Sequence, residues 1–149
     1  MDLTEEACSM EFKKLGDYFL LRMDRGERVR NTLDGFLQQQ GVASGYLQGI
    51  GALEQVELGY YSIPDRRYLQ RTMPGVYELL SLSGNITTVD GQPFVHAHAV
   101  LSDAHFRTLG GHFFDGLVAV TLELVIRPFP ESVQRAEHAD FGLNLLKLS

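Results

Sequence analysis

The run from His112 to Arg127 narrows the choice of fold more than any other part of this chain. In an extended strand, Val118, Val120, Leu122, Leu124 and Ile126 fall on one side, and Ala119, Thr121, Glu123 and Val125 on the other. Neither side is strongly polar, so the strand belongs to a sheet with apolar surface on both faces. Gly110-Gly111 precede it, and Pro128 and Pro130 end it, because proline cannot donate to a strand ladder.

The same β grammar runs through most of the chain. Ala43 to Ile50 and Val56 to Tyr61 read as two strands separated by a flexible Gly49-Ile-Gly51-Ala52 stretch. Tyr68 to Met73 reads as a short strand after a turn at Pro64-Asp65. Tyr77 to Val89 and Phe94 to Ser102 form a predicted hairpin joined at Asp90-Gly91, a strong turn dipeptide. Tyr18 to Met23 suits a buried strand. One helix is expected, over 27–40. Val29, Leu33, Phe36 and Leu37 make its apolar stripe, Asp24 and Glu27 have capping-box spacing, and Gly41 supplies the left-handed residue after its end.

Six or seven strands with one helix define an α+β domain with a mostly antiparallel sheet. A single helix covers one face only, so a second subunit is expected over the remainder. The 149 residues suit one domain. Residues 1–15 are expected as a mobile N-terminal extension and 16–149 as the folded unit, with Phe141, Leu143, Leu145, Leu146 and Leu148 docking the tail.

Charge and cysteine narrow the function classes. With 13 Lys+Arg against 19 Asp+Glu the chain carries −6, which disfavours a nucleic-acid face. Arg22, Arg25, Arg28 and Arg30 cluster, but Asp24 and Glu27 interleave with them, as at a solvated helix entrance. Cys8 is the one cysteine, so no internal disulfide forms. No stretch nears the ~20 apolar residues of a membrane span, and the N-terminus lacks the apolar core of a signal peptide, so the expected location is cytoplasmic.

The chemistry lies in Phe94-Val-His96-Ala-His98-Ala-Val100. Residues i and i+2 of a strand share a face, about 6.5–7 Å apart, so two imidazoles can meet one ion at Zn–N distances of about 2.0–2.1 Å. His112, directly after Gly110-Gly111, is the best third ligand, if the two strands pair so as to set it opposite the middle of the first. The bland alternative is a half-exposed polar face. His105 and His138 read as surface residues, and Asp103 is a weaker candidate to ligate or to orient a ligand histidine. Three neutral imidazoles would leave zinc, or another divalent transition metal, an open position. Glu78, a carboxylate inside an apolar run, is the candidate catalytic base, ahead of Glu57 and Glu123.

These residues carry a resemblance. Gly49-Ile-Gly-Ala52, Val56-Glu-Leu-Gly-Tyr-Tyr61, Glu78-Leu-Leu-Ser-Leu-Ser-Gly-Asn85, the Asp90-Gly91 turn, Phe94-Val-His-Ala-His98, Gly110-Gly-His112 and Phe141-Gly-Leu-Asn-Leu-Leu146 follow one another as in the plants-and-prokaryotes-conserved domain family. The chain resembles that family over about residues 16–148, in its stand-alone prokaryotic form. The resemblance implies a seven-stranded antiparallel sheet with a helix, a homotrimer, and a site at His96, His98 and His112 suited to zinc. Plant members join the domain to an AT-hook, Arg-Gly-Arg-Pro; the nearest string here is Arg25-Gly-Glu27.

Three readings follow. The first is a self-associating binding module with a metal site and a small ligand near the subunit interface. The second is a metal-dependent hydrolase or lyase with Glu78 as base. The third is a DNA-associated regulatory protein. A cupin is disfavoured, since Leu101, Ser102 and Asp103 stand where its glutamate belongs.

Overall fold

The structure, a computed structural model, describes residues 10–149; Cys8 lies outside them. Eight strands and one helix follow in the order β1 (Glu11–Leu15), β2 (Tyr18–Asp24), α1 (Val29–Gln40), β3 (Gly45–Ser62), β4 (Arg67–Val89), β5 (Gln92–Ser102), β6 (Thr108–Pro128), β7 (Gln134–His138) and β8 (Leu143–Lys147). The α+β class and the mostly antiparallel sheet are as expected, with eight strands where about seven were predicted. The one parallel contact is the single pair Thr88 and Gln134 between β4 and β7.

Strands expected as separate pieces are continuous. The Gly49–Ala52 stretch bends β3 without breaking it, because register shifts between Gly49 and Gly51 and between Glu54 and Val56 absorb the irregularity. Pro74 and Gly75 lie opposite the second shift, so β4 passes through them and joins the two strands predicted at 68–73 and 77–89. The Asp90-Gly91 turn forms, with both residues at positive φ as a type I′ hairpin requires.

The sheet folds back on itself. β6 pairs with β3 along one edge and shares its other edge between β5, over 108–112, and β2, over 121–126. β3 also pairs with β4, and β4 with β5, so β3, β4, β5 and β6 close a circuit. The inner face packs on α1: Val29, Leu33, Phe36 and Leu37 are buried with Leu21, Leu47, Leu82, Ile86, Leu101, Leu122 and Leu124.

The helix ends as predicted and begins differently. Gly41 at φ 65 closes it, with Val42 N–H donating to Leu37 O. At the start, Glu27 does reach back to the Asp24 N–H, at 2.6 Å, but this closes a turn ahead of the helix. The first helical residue is Val29, and its N-cap, Arg28, has no capping side chain. Asp115 of β6 supplies the missing acceptor, taking the Arg30 N–H at 3.0 Å.

At both ends of the chain the sheet extends further than expected. Residues 11–15, placed in the extension by sequence, pair with β2 from Glu11 opposite Arg22 to Leu15 opposite Tyr18. Phe12 meets Phe36 edge-on at 5.1 Å. The tail returns as the β7–β8 hairpin, yet Leu145, Leu146 and Leu148 stay exposed. Polar contacts hold it: Arg135 donates to Asn85 and Thr87 of β4, and the Tyr61 hydroxyl donates to Phe141 O. No helix among the described residues is long and apolar enough to cross a membrane.

Candidate metal centre

Strand alternation sets the histidines on the outer face. Val95, Ala97, Ala99 and Leu101 of β5 point into the core, so Phe94, His96, His98 and Val100 point away from it. On β6, Phe113 is buried and His112 and Phe114 face outward. The register left open by sequence is the favourable one: His98 lies directly opposite His112. Gly110 and Gly111 allow it, since a Cβ at Gly111 would stand 2.8 Å from Gly59 O.

The three rings meet at a point. Their centroids are 5.1 Å (His96–His98), 5.3 Å (His96–His112) and 5.7 Å (His98–His112) apart. One nitrogen of each lies within 4.8 Å of the others. A tetrahedral zinc bound at about 2.0–2.1 Å needs ligand nitrogens about 3.3 Å apart, so the three rings would draw together around an ion. The three imidazole donors fit a borderline-soft divalent ion. Burial, then His96, His98 and Arg30, push the His112 pKa down to about 4. Burial, then Arg135 and His98, lower that of His96.

Five residues to which the sequence assigned no part in the site complete the surroundings. Tyr68 stacks on His112 at 4.7 Å, its hydroxyl 3.5 Å from Nδ1, where it can accept that proton and leave Nε2 for a metal. Phe114 touches both rings, 4.7 Å from His112 and 5.1 Å from Tyr68. Gly59 makes room for both rings, because a Cβ there would collide with Phe114 and come within 3.0 Å of Tyr68. Arg30, read from sequence as part of a solvated cluster, is half-buried and donates to Val95 O, Phe113 O and Phe114 O, tying β5 to β6 beneath the site. Arg135 donates to Asn85 Oδ1 at 2.7 Å and to Thr87 Oγ1 at 2.9 Å, with His96 Nδ1 at 3.5 Å. Only a signal linking residues far apart in sequence could have found Arg30 and Arg135, since nothing local marks them.

None of the carboxylate candidates belongs to the three-histidine group. Glu78 pairs with Ser102, four residues along β5 from His98, or about 13 Å at ~3.3 Å per residue. It lines a separate hollow with Ile50, Leu80, Val120 and Glu123. Within one chain Glu78 is therefore separated from the histidine cluster, because the histidines pair with Ser83 and Asn85, further along β4. Glu57 stands opposite Asp115 on the β3–β6 ladder. Asp103 is used within its own loop, accepting from the His105 and Arg107 N–H groups and pairing with the Arg107 guanidinium. His105 and His138 are exposed, as expected.

A closed antiparallel sheet that gathers three imidazoles on its open face defines a class of small β-rich domains with a candidate metal centre. The chain belongs to the family described as the Plants and Prokaryotes Conserved (PCC) domain, which it matches over residues 10–130. A candidate DNA-binding protein from Bacteroides thetaiotaomicron shares its fold at TM-score 0.90 and 25% identity, over 93% of this chain and 96% of that one. A metal-containing protein from Archaeoglobus fulgidus is 32% identical at TM-score 0.81, over 93% and 97%. The bifunctional protein GlmU of a Synechococcus species is 33% identical over 108 residues, 71% of this chain. This chain spans only 16% of that protein's length.

Proposed function

We propose that this protein is a cytoplasmic, homotrimeric binding module whose His96, His98 and His112 hold one divalent transition metal, zinc foremost, with a position left for a small ligand. The observation that carries this reading is the convergence of three imidazole nitrogens within 4.8 Å, with burial lowering the pKa values of His96 and His112. The metal content of the Archaeoglobus fulgidus relative supports it. A zinc ion there would act as a Lewis acid toward whatever occupied its remaining position.

The enzyme reading is weaker, because the expected base, Glu78, stands about four residues along the sheet from His98, roughly 13 Å away. The description of the Bacteroides thetaiotaomicron relative is the ground for a DNA-associated role, against which stands a net charge of −6.

Elemental analysis of protein purified without chelators tests the centre. One metal per chain is expected, falling at least tenfold in His98→Ala while circular dichroism stays unchanged. Metal-free wild-type protein that also fails to take up added zinc would defeat the reading.

A further inference from the structure

Arg135 is a half-buried cation with no anion of its own. Its N–H groups are held by three neutral acceptors, Asn85 Oδ1, Thr87 Oγ1 and Asn144 O, and no Asp or Glu among the described residues pairs with it. Its guanidinium reaches to 3.5 Å from His96 Nδ1, so it stands at the edge of the histidine cluster. Imidazole binds a metal as a neutral ligand, and Arg30 lies behind His112 with its own N–H groups spent on carbonyl oxygens. A divalent ion at this place would add two positive charges to a cluster that, among the described residues, includes no carboxylate to balance them. Taking such charge out of water is unfavourable unless a counter-anion comes with it.

The contact with His96 sharpens this. Arginine has only donors, so it can meet Nδ1 only while Nδ1 is an acceptor. If His96 binds a metal through Nε2, Nδ1 carries the proton, and the facing Arg135 N–H needs a new acceptor. The walls narrow what brings it. Phe94 lies under the guanidinium at 5.4 Å, and Tyr68 and Phe114 each stand 4.7 Å from His112. With most Arg135 donors already engaged, one oxygen finds a partner more readily than the three of a phosphate, and the aromatic rings suit an apolar remainder.

Resting on the metal reading above, we propose that the site takes a small organic carboxylate, its anionic group set between the metal and Arg135 and its apolar part against Phe94, Tyr68 and Phe114. The test is calorimetric titration of zinc-loaded trimer or monomer, whichever exists, with phenylacetate, and with inorganic phosphate and benzylamine as counter-probes. Phenylacetate is expected to bind, with both counter-probes at least tenfold weaker. Arg135→Gln should retain zinc and lose phenylacetate affinity at least tenfold.

Arg135 also anchors the β7–β8 hairpin, so Arg135→Gln could disturb the fold, and Asn85→Asp provides the second variant. It leaves Arg135 in place but gives it a carboxylate partner, and it should weaken phenylacetate to a similar degree with zinc content unchanged. Zinc-loaded wild type that ignores phenylacetate, that binds phosphate equally well, or whose affinity is untouched in Asn85→Asp would overturn the carboxylate assignment while leaving the metal centre standing. Wild type that takes up no zinc would instead defeat the reading beneath it.

Discussion

His112 shows how a single side chain carries both stability and chemistry. Its folded pKa of about 4 lies below the ordinary 6.5, first because it is partly buried and then because His96, His98 and Arg30 oppose its charge. Between those values the unfolded chain binds a proton that the metal-free folded chain refuses. Stability is therefore fully present above about pH 6.5 and is lost as pH falls toward 4. The full shift would correspond to about 3 kcal/mol, but the ring is half-exposed, and screening reduces the expected loss to about 1–2 kcal/mol. Urea unfolding of metal-free protein at pH 7 and pH 4.5 measures it, and His112→Asn should flatten the slope; an unchanged slope would remove His112 as its source. Gly59 acts on the same ring. Gly59→Ala pushes Phe114 and Tyr68 off His112, and zinc affinity should fall at least tenfold with the fold retained, read by competition with a chromophoric chelator. The histidines themselves were legible because a two-residue spacing on a strand forces a shared face. Tyr68, Arg30 and Arg135 were not, because each arrives through a pairing or packing contact from a distant part of the chain.

The elements were legible where their signals are local and blurred where pairing decides. The Val29–Leu37 stripe and Gly41 located α1 and its end. Its start was misplaced by two residues, since Glu27 made its back-bond in a preceding turn and the true acceptor, Asp115, comes from β6. Glycine and proline suggested breaks in β3 and β4 that the neighbouring strands bridge through bulges. Asp115 now links helix, sheet and site: besides the Arg30 N–H it faces the Arg28 guanidinium at 3.8 Å, and Arg30 in turn ties Val95 to Phe113 and Phe114. Asp115→Ala should lower stability by about 1–2 kcal/mol, the range for loss of a helix N-terminal acceptor. Equilibrium urea denaturation reports it as a lower midpoint at constant slope. A midpoint equal to wild type would mean that water caps the helix equally well.

At the scale of the whole molecule the question is what meets the outer face. The apolar surface read from the 112–127 run is there: Leu20 is 44% exposed, Ile50 54%, Leu80 47% and Val120 64%. The sequence placed Val120 in line with Val118 and Leu122, but a bulge in β6 opposite Ala52 turns it outward, which pairing alone could reveal. These residues are contiguous, since Ile50 and Glu123 border both the hollow containing Leu80 and Val120 and the one containing Leu20, Tyr46 and Val125. One helix is already committed to the inner face, so nothing within the described chain covers this surface. Copies of the same chain are the proposed cover. Val120→Glu places a charge in the middle of this patch without touching the core, so the monomer fold should survive while association weakens by at least tenfold. Sedimentation velocity at micromolar concentration should give a trimer for wild type and mostly monomer for the variant, with unchanged far-ultraviolet circular dichroism. Monomeric wild type would break the link between the apolar outer face and assembly, and a trimer that tolerates Val120→Glu would move the interface to another surface.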